Sequence, residues 1–369
     1  MRVVHIEAGR HLYGGGSQVR TLIDGLAAAG VDNVLLAPAG SELAGAPPAA
    51  DVVPVPMRGE LDIALLPRLA RALRARRPDL VHVHSRRGAD LYGGLAAALV
   101  GVPAVLTRRV DAVEPGALAR LKYRPYSAIV ALSTAIEAQL AAAGVERSRV
   151  LRIPSAVDTA AFRPDAAARG RLLAEFDLPA DALVAGVVAQ LIERKGHRLL
   201  LDALAELVQE FPALRVLCFG RGPLEATLRR GIAARGLTGV VTLAGFRGDL
   251  PRLVPGFDLL VHPAAREGLG LALLEAAAAG VPAVACAAGG VPDVVEHGVT
   301  GLLVPAGDAA ALRGALARLL AAPAERATLG AAARARAERR FGVAALVAAH
   351  LSLYERVLGA RAPHAVLGR

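Results

Sequence analysis

The stretch DLLVHPAAREGLGLALLEA (Asp258–Ala276) joins a short apolar run to a helical pattern through a loop that contains glycine. Asp258–Val261 is typical of a buried strand, and the apolar spacing from Leu271 onward predicts a helix. Gly268 and Gly270 lie between them, so the turn can present bare backbone N–H groups at the start of the helix. Because the helix dipole favours anions at that end, this loop predicts a site for an anionic group.

Two glutamates in this stretch, Glu267 and Glu275, lie eight positions apart. The pattern places Glu267 at the carboxyl end of the strand and Glu275 about one turn into the helix. Carboxylates accept hydrogen bonds from sugar hydroxyls, so the pair suits a diphosphate attached to a polyhydroxyl ring. On spacing alone, an acidic residue at a helix start followed by an exposed helix glutamate is an equally good interpretation.

Short apolar runs alternate with helical patterns along the whole chain, which predicts an α/β protein with parallel sheets. The predicted strands are Val3–Glu7, Asn33–Leu36, Leu80–His84, Ala104–Thr107, Ala128–Leu132, Val150–Ile153, Leu183–Ala189, Arg215–Phe219, Val240–Leu243, Asp258–Val261 and Ala283–Ala285. A length of 369 residues suits two domains. We predict domains at residues 1–160 and 161–340, with a further helix, Phe341–Leu358, in residues 341–369.

Composition limits the class of protein. The chain has two cysteines, Cys218 and Cys286, which argues against a disulfide framework. No apolar run approaches the roughly 20 residues of a membrane span, and Met1–Glu7 becomes polar too early for a signal peptide. We therefore expect a cytoplasmic protein. The net charge of +10 would suit a nucleic-acid-binding protein, but five Tyr, seven Phe and no Trp offer few stacking platforms.

Two other glycine-containing turns follow predicted strands. Gly14-Gly15-Gly16 precedes a helix predicted from Ser17, and Lys195-Gly196 follows the strand Leu183–Ala189. Glycine at such a turn permits close approach of a phosphate or a sugar, and a fixed cation would neutralise a leaving diphosphate. A flexible turn and an ordinary surface charge are the alternative interpretations.

Together these landmarks, from Gly14 to about Tyr354, resemble the retaining glycosyltransferases of family 4. Glu267 and Glu275 are similar to the two ends of that family's Glu-(seven residues)-Glu motif. The resemblance implies the GT-B fold, with two Rossmann-like doubly wound parallel-sheet domains facing a cleft. It also implies a linker near Pro154–Asp165 and a last helix that returns to the first domain.

The resemblance implies roles for individual residues. Glu267 would hold the ring hydroxyls of the transferred sugar, Lys195 would stabilise the leaving diphosphate, and Glu275 would bind the ribose. The residues implied in binding the nucleotide-sugar donor are Gly15, Gly16, Arg194, Lys195, Gly268, Leu269, Gly270, Leu271 and Glu275. No metal and no cofactor are expected, because lysine and arginine would supply the positive charge.

The loop after the predicted strand Ala104–Thr107 begins with Arg108-Arg109. Many family members have a histidine in this loop, near the transferring sugar. Arg109 in its place is the third predicted catalytic residue, and it indicates an acidic acceptor or an additional phosphate contact. A solvated arginine pair is the alternative.

His82 and His84 point to one face of a predicted strand. A metal site needs further ligands, and none is spaced nearby. We therefore interpret His82 as a core imidazole and His84 as a residue at the edge of the cleft.

The segment Leu65–Arg77 predicts a basic amphipathic helix. Such a helix can lie on an anionic membrane surface, although an ordinary surface helix is the alternative.

We expect a glycan or lipid-linked acceptor in bacterial surface-polysaccharide synthesis, such as a lipopolysaccharide core. Peripheral contact with the cytoplasmic face of the inner membrane is a further expectation. A GT-B nucleotide-sugar epimerase or a phosphorylase would retain a similar fold.

Overall fold

The computed structural model describes residues 1–84, 88–111 and 116–360, without the side chains of residues 116–118. The chain forms two compact units. The first contains Met1–Ala156 together with the chain from Val343, and the second is Val157–Gly342. The end of the predicted third segment, residues 361–369, lies outside the described residues.

The first unit is built around a parallel sheet. In the described residues its strands, β1 to β7, are Arg2–Ile6, Asp32–Ala37, Asp51–Pro54, Leu80–Val83, Ala104–Arg108, Ala128–Ala131 and Val150–Arg152. Its helices α1 to α6 are Gly14–Ala28, Glu42–Gly45, Leu65–Arg76, Ala89–Leu99, Gly116–Tyr123 and Thr134–Ala142. The strand order is β3-β2-β1-β4-β5-β6-β7, so the direction of winding reverses between β1 and β4.

The second unit repeats the architecture. Its described strands, β8 to β13, are Leu183–Val188, Leu214–Phe219, Val241–Gly245, Leu259–His262, Ala283–Cys286 and Gly301–Val304. Its helices α7 to α14 are Ala168–Glu175, His197–Glu210, Glu225–Ala234, Leu250–Leu253, Leu271–Ala278, Val291–Val294, Ala309–Ala321 and Pro323–Arg340. The order is β10-β9-β8-β11-β12-β13, and winding reverses between β8 and β11. In such sheets ligands bind outside the carboxyl ends of the strands at this reversal.

The last helix, α15 (Val343–Gly359), belongs to the first unit. Its apolar residues join the core cluster that contains Leu22 and Leu26 of α1. A Cβ added at Gly25 of α1 would lie 2.4 Å from Val347, so the two helices approach closely because this position lacks a side chain. Tyr354 is fully buried there.

The predicted α/β class is confirmed, and the parallel sheets agree with the predicted strands to within one or two residues. Two strands were missed. β3 is a short, partly exposed edge strand that ends at Pro54, and β13 has only four residues and lies at the other sheet's edge. β3 has a weak apolar signal because none of its residues is fully buried. β13 is mostly buried, so exposure does not explain why it was missed.

Candidate active site

The strand order of the second unit brings two loops together. Lys195 ends a single 3-10 turn that follows β8, and Glu267 lies five residues beyond the end of β11. Between these loops Gly196 has φ +72°, and an added Cβ would lie 1.8 Å from the carbonyl oxygen of Pro263. Only glycine allows this approach, which places the Lys195 turn directly against the segment that carries Glu267.

The Glu267 carboxylate is held by three hydrogen-bond donors. Its Oε2 contacts the Lys195 ammonium and lies 3.0 Å from His262 Nε2. The Gly268 amide donates to its Oε1 at 3.0 Å. Burial opposes ionisation, but the hydrogen bond from His262 and the Lys195 charge outweigh it and hold the pKa of Glu267 well below its usual range. Glu267 is therefore a charged, oriented acceptor.

The loop after Glu267 leads into the N-terminus of α11. Gly270, the residue before the helix, has φ +97° and needs the conformational freedom of glycine. No acceptor among the described residues contacts the amides of Gly270 and Leu271. The Gly268 amide is already bound to Glu267, and the Leu269 side chain is buried in the core. Of the predicted backbone contacts, Gly270 and Leu271 have amides available to a ligand.

Glu275 lies one turn into α11, on the same loop–helix segment. Its side chain has no hydrogen-bond or ion-pair partner among the described residues. Burial raises the pKa of its carboxyl to about 8 from the ordinary 4.5. A half-buried carboxylate without partners destabilises the free protein, which makes Glu275 a candidate for ligand contact.

The titration of Glu275 has two opposite consequences. In the free protein the neutral carboxyl is favoured, so the fold loses stability as pH rises from about 4.5 through about 8. If ribose hydroxyls donate to the carboxylate, binding favours the ionised form. We expect the affinity for a nucleoside diphosphate to rise on the order of tenfold between about pH 6.5 and about pH 8.5.

Glu275→Gln should flatten that pH dependence and raise the melting temperature at about pH 8.5, because glutamine does not ionise. Calorimetric titration and thermal unfolding at several pH values measure both effects. A Glu275→Gln protein with the wild-type pH profile would contradict the assignment.

Three arginines of the second unit, Arg194, Arg247 and Arg221, lie outside the contacts around Glu267. Arg194 is exposed, and its guanidinium lies 3.4 Å from the carbonyl oxygen of Arg266. Arg247, to which the sequence assigned no role, pairs with Asp249 and Glu175 and so fixes the loop. The Arg221 guanidinium lies 4.8 Å from the centre of the Phe246 ring, half of which is exposed.

In the first unit, the three glycines lie in the first turn of α1, which begins at Gly14. The predicted helix start at Ser17 was therefore wrong by three residues. A Cβ added at Gly15 would be 3.9 Å from the Arg109 side chain, so the structure brings these two predicted residues together. Burial lowers the pKa of Arg109 to about 10, and the charge of Glu7 partly offsets this.

Arg109 also neighbours a cluster of buried imidazoles. His5 joins His82 and His84, and one ligand atom from each lies within 4.8 Å of the others. His5 lies 2.9 Å from His84 and 3.0 Å from Asn33, whereas His82 lies 2.6 Å from the Tyr354 hydroxyl and 2.7 Å from Thr107. Burial lowers the pKa of His5 to about 4. Both nitrogens of His5 and His82 are thus engaged within the protein.

His82 is a core imidazole, as the strand pattern indicates. The interpretation of His84 as an edge residue was wrong, because its side chain is 1% exposed. Sequence spacing did not reveal His5 as a third neighbour, since it lies 77 residues before His82 on β1. The absence of a resident metal stays a prediction.

The predicted basic helix is α3, and its apolar face is not available to lipid. Leu65, Leu69 and Leu73 are buried in the first unit. Arg71 and Arg74 are exposed, as are Leu61 and Ile63 just before the helix. No described helix is both long and apolar enough to cross a bilayer.

Comparison with known proteins identifies the family. A profile described as Glycosyltransferase Family 4 matches residues 13–161, and one described as Glycosyl transferases group 1 matches residues 170–336. The 2-deoxystreptamine glucosyltransferase of Streptomyces kanamyceticus is 32% identical over 309 residues, which cover 78% of this chain and 80% of that protein. The chain belongs to glycosyltransferase family 4.

Two further comparisons concern another relative and the fold. A GDP-mannose-dependent phosphatidylinositol monomannoside mannosyltransferase of Mycolicibacterium smegmatis is 36% identical over 191 residues, about half of each chain. HepE of Anabaena, solved with UDP, has a TM-score of 0.85 and 22% identity, covering 96% of this chain and all of that one. The predicted GT-B fold is confirmed. Membership of the family favours a glycosyltransferase over an epimerase, a phosphorylase or a nucleic-acid-binding protein.

The family motif did not reveal every residue that shapes this candidate site. His262 contacts Glu267 but was not singled out, because one histidine at the end of an apolar strand is most simply a core residue. Glu7, which neighbours Arg109, was predicted only as the end of a strand. His262 and Glu7 each lie at the carboxyl end of a predicted strand, and this position was the sequence feature that could have indicated a role at the site.

Proposed function

We propose that this protein is a retaining glycosyltransferase that moves a hexose or a related sugar from a nucleotide-sugar donor to a glycan or lipid-linked acceptor. The observation that carries the proposal is the arrangement around Glu267. A charged, oriented carboxylate lies beside Lys195 and before the free amides of Gly270 and Leu271. Sugar hydroxyls and a diphosphate need these two kinds of contact.

In this proposal Glu267 accepts hydrogen bonds from the sugar ring, and Lys195 moves to the diphosphate as the bond to the sugar breaks. Arg194, exposed on the same turn, adds positive charge. The developing charge on the leaving diphosphate is stabilised by groups fixed before reaction, which is an effective form of catalysis. Glu275 binds the ribose. Transfer on one face of the sugar, with the leaving phosphate deprotonating the acceptor, accounts for retention. No metal is required in this scheme.

Arg109 supports an acidic or phosphorylated acceptor. It lies beside Gly15 at the start of α1, and its buried Nε has no hydrogen-bond partner among the described residues. A buried guanidinium of this kind is suited to an anionic group. Gly15 and Gly16 remain predicted contacts of the sugar donor.

Calorimetric titration with UDP, GDP and ADP, followed by transfer assays with the matching hexoses, tests the proposed function. NMR of the product establishes the configuration at the anomeric carbon. The acceptors to compare are a lipopolysaccharide core, a lipid-linked sugar and an aminocyclitol, since a relative is named for 2-deoxystreptamine. Inversion of configuration, or failure to bind any nucleoside diphosphate, would contradict the proposal.

The proposal includes peripheral contact with an anionic membrane, and this contact would be made by the exposed arginines of α3. Reversing Arg71 and Arg74 to glutamate should weaken binding to anionic liposomes, and the loss should be largest at low salt. Because the apolar face of α3 is buried, charge would dominate this binding. Arg229 and Arg230, exposed on α9, provide the matched control for charge reversal. Equal binding by both double variants and the wild type would leave α3 as ordinary surface.

A further inference from the structure

His262 lies directly against Glu267. It is the last residue of β11, its side chain is 3% exposed, and its Nε2 lies 3.0 Å from Glu267 Oε2. A carboxylate oxygen only accepts hydrogen bonds, so Nε2 carries the proton and donates. Burial lowers the pKa of His262 despite the neighbouring carboxylate, so the imidazole is a neutral donor.

Lys195 and His262 share a single oxygen atom, Glu267 Oε2. The two groups differ in mobility. Lysine carries its charge on a flexible four-carbon chain, whereas the histidine ring is fixed by the strand and by burial. In the proposed function Lys195 has a second partner, the diphosphate, and cannot serve both fully.

We propose that His262 is a positioning residue, which keeps the Glu267 carboxylate in place when Lys195 turns from it to the diphosphate. The inference rests on the proposed function. In this scheme Lys195 contacts Glu267 only in the free protein. His262 contacts Glu267 both in the free protein and when the sugar donor is bound.

The physical reason is the cost of an unpaired buried charge. If Lys195 leaves, Glu267 would keep only the Gly268 amide unless a second fixed donor remained. His262 is that donor, and it holds the rotamer in which the free lone pairs of Glu267 can accept from the sugar. Loss of a supporting contact of this kind disturbs a site without removing any group that touches the substrate.

His262→Leu and His262→Gln separate this role from simple packing. Leucine fills much of the volume and donates nothing, whereas glutamine can place an amide N–H near the former Nε2. We expect His262→Leu to lower kcat by about 10- to 100-fold, the usual loss for one hydrogen bond to a charged group. The affinity for free nucleoside diphosphate should not change, and His262→Gln should recover much of the rate.

A comparison variant is His197→Leu, since His197 is buried near Lys195 and His262 and neither of its ring nitrogens has a hydrogen-bond partner among the described residues. It should lower kcat less than His262→Leu does, because it removes no contact of Glu267. Wild-type turnover by His262→Leu, or equal losses in His262→Leu and a folded His262→Gln, would overturn the inference and leave the proposed function intact. A wild-type protein that neither binds a nucleoside diphosphate nor transfers sugar would overturn both.

Discussion

Replacement of Lys195 by alanine is expected to lower kcat by roughly two to three orders of magnitude, because one preorganised charge contact to the leaving diphosphate is lost. Lys195 is largely buried and pairs with Glu267 in the free protein. Its charge is therefore already desolvated and close to the proposed reaction centre. The measurement is kcat at saturating sugar donor, so that weaker binding does not obscure the chemical step.

Arg194→Ala is the comparison for this variant. Arg194 lies next in sequence but is exposed, so solvent screens its charge and its removal should cost less than that of Lys195. Near wild-type turnover by Lys195→Ala would make Lys195 a structural partner of Glu267 only. The diphosphate would then have to be placed elsewhere. A larger effect from Arg194→Ala would exchange the two assignments.

The contact between Lys195 and Glu267 shows which part of the candidate site could be predicted from the sequence. Each residue was predicted at the carboxyl end of a strand, from local apolar runs followed by a glycine-containing turn. Their meeting depends on β8 lying next to β11, and strand order is a long-range property that periodicity does not reveal. The resemblance to a known family implied that both residues serve one sugar donor, but it did not predict their contact.

Two disagreements between the prediction and the structure arise from tertiary packing. Glycine has a low helix propensity, so Gly14-Gly15-Gly16 predicted a loop, yet these residues form the first turn of α1. The rest of α1 buries Val19, Leu22 and Leu26, and a helix stabilised in this way extends through glycines that each cost about 1 kcal/mol. His84 was predicted at the edge of the cleft, but His5 of β1 lies against it and both are buried.

Glu275 illustrates information that only the fold contains. Its spacing from Glu267 predicts that it follows the loop by one turn, but not whether a neighbour neutralises it. The described structure gives it no partner and raises its pKa to about 8. Isolation of a carboxyl depends on every surrounding side chain, so it becomes visible only after the whole unit is assembled.

The second large effect is expected for Glu267→Ala, compared with Glu275→Ala. Glu267→Ala should hardly change the affinity for a free nucleoside diphosphate but should reduce transfer severely, because its proposed partner is the sugar. Glu275→Ala should weaken binding of the nucleotide with or without the sugar, because its proposed partner is the ribose. Both variants should be titrated first with nucleoside diphosphate and then with the intact sugar donor.

The Glu267→Ala variant also changes the surroundings of Lys195 and His262. Removing Glu267 also releases Lys195 and His262 from their shared partner. Free Lys195 could then bind a diphosphate more tightly, so a modest gain in nucleotide affinity agrees with the proposal, whereas a loss does not. If both carboxylates acted only as charges near a helix start, each variant would cost about 0.5–1 kcal/mol of stability and leave kinetics nearly unchanged. Identical behaviour in both titrations would show that the two glutamates do not have separate roles.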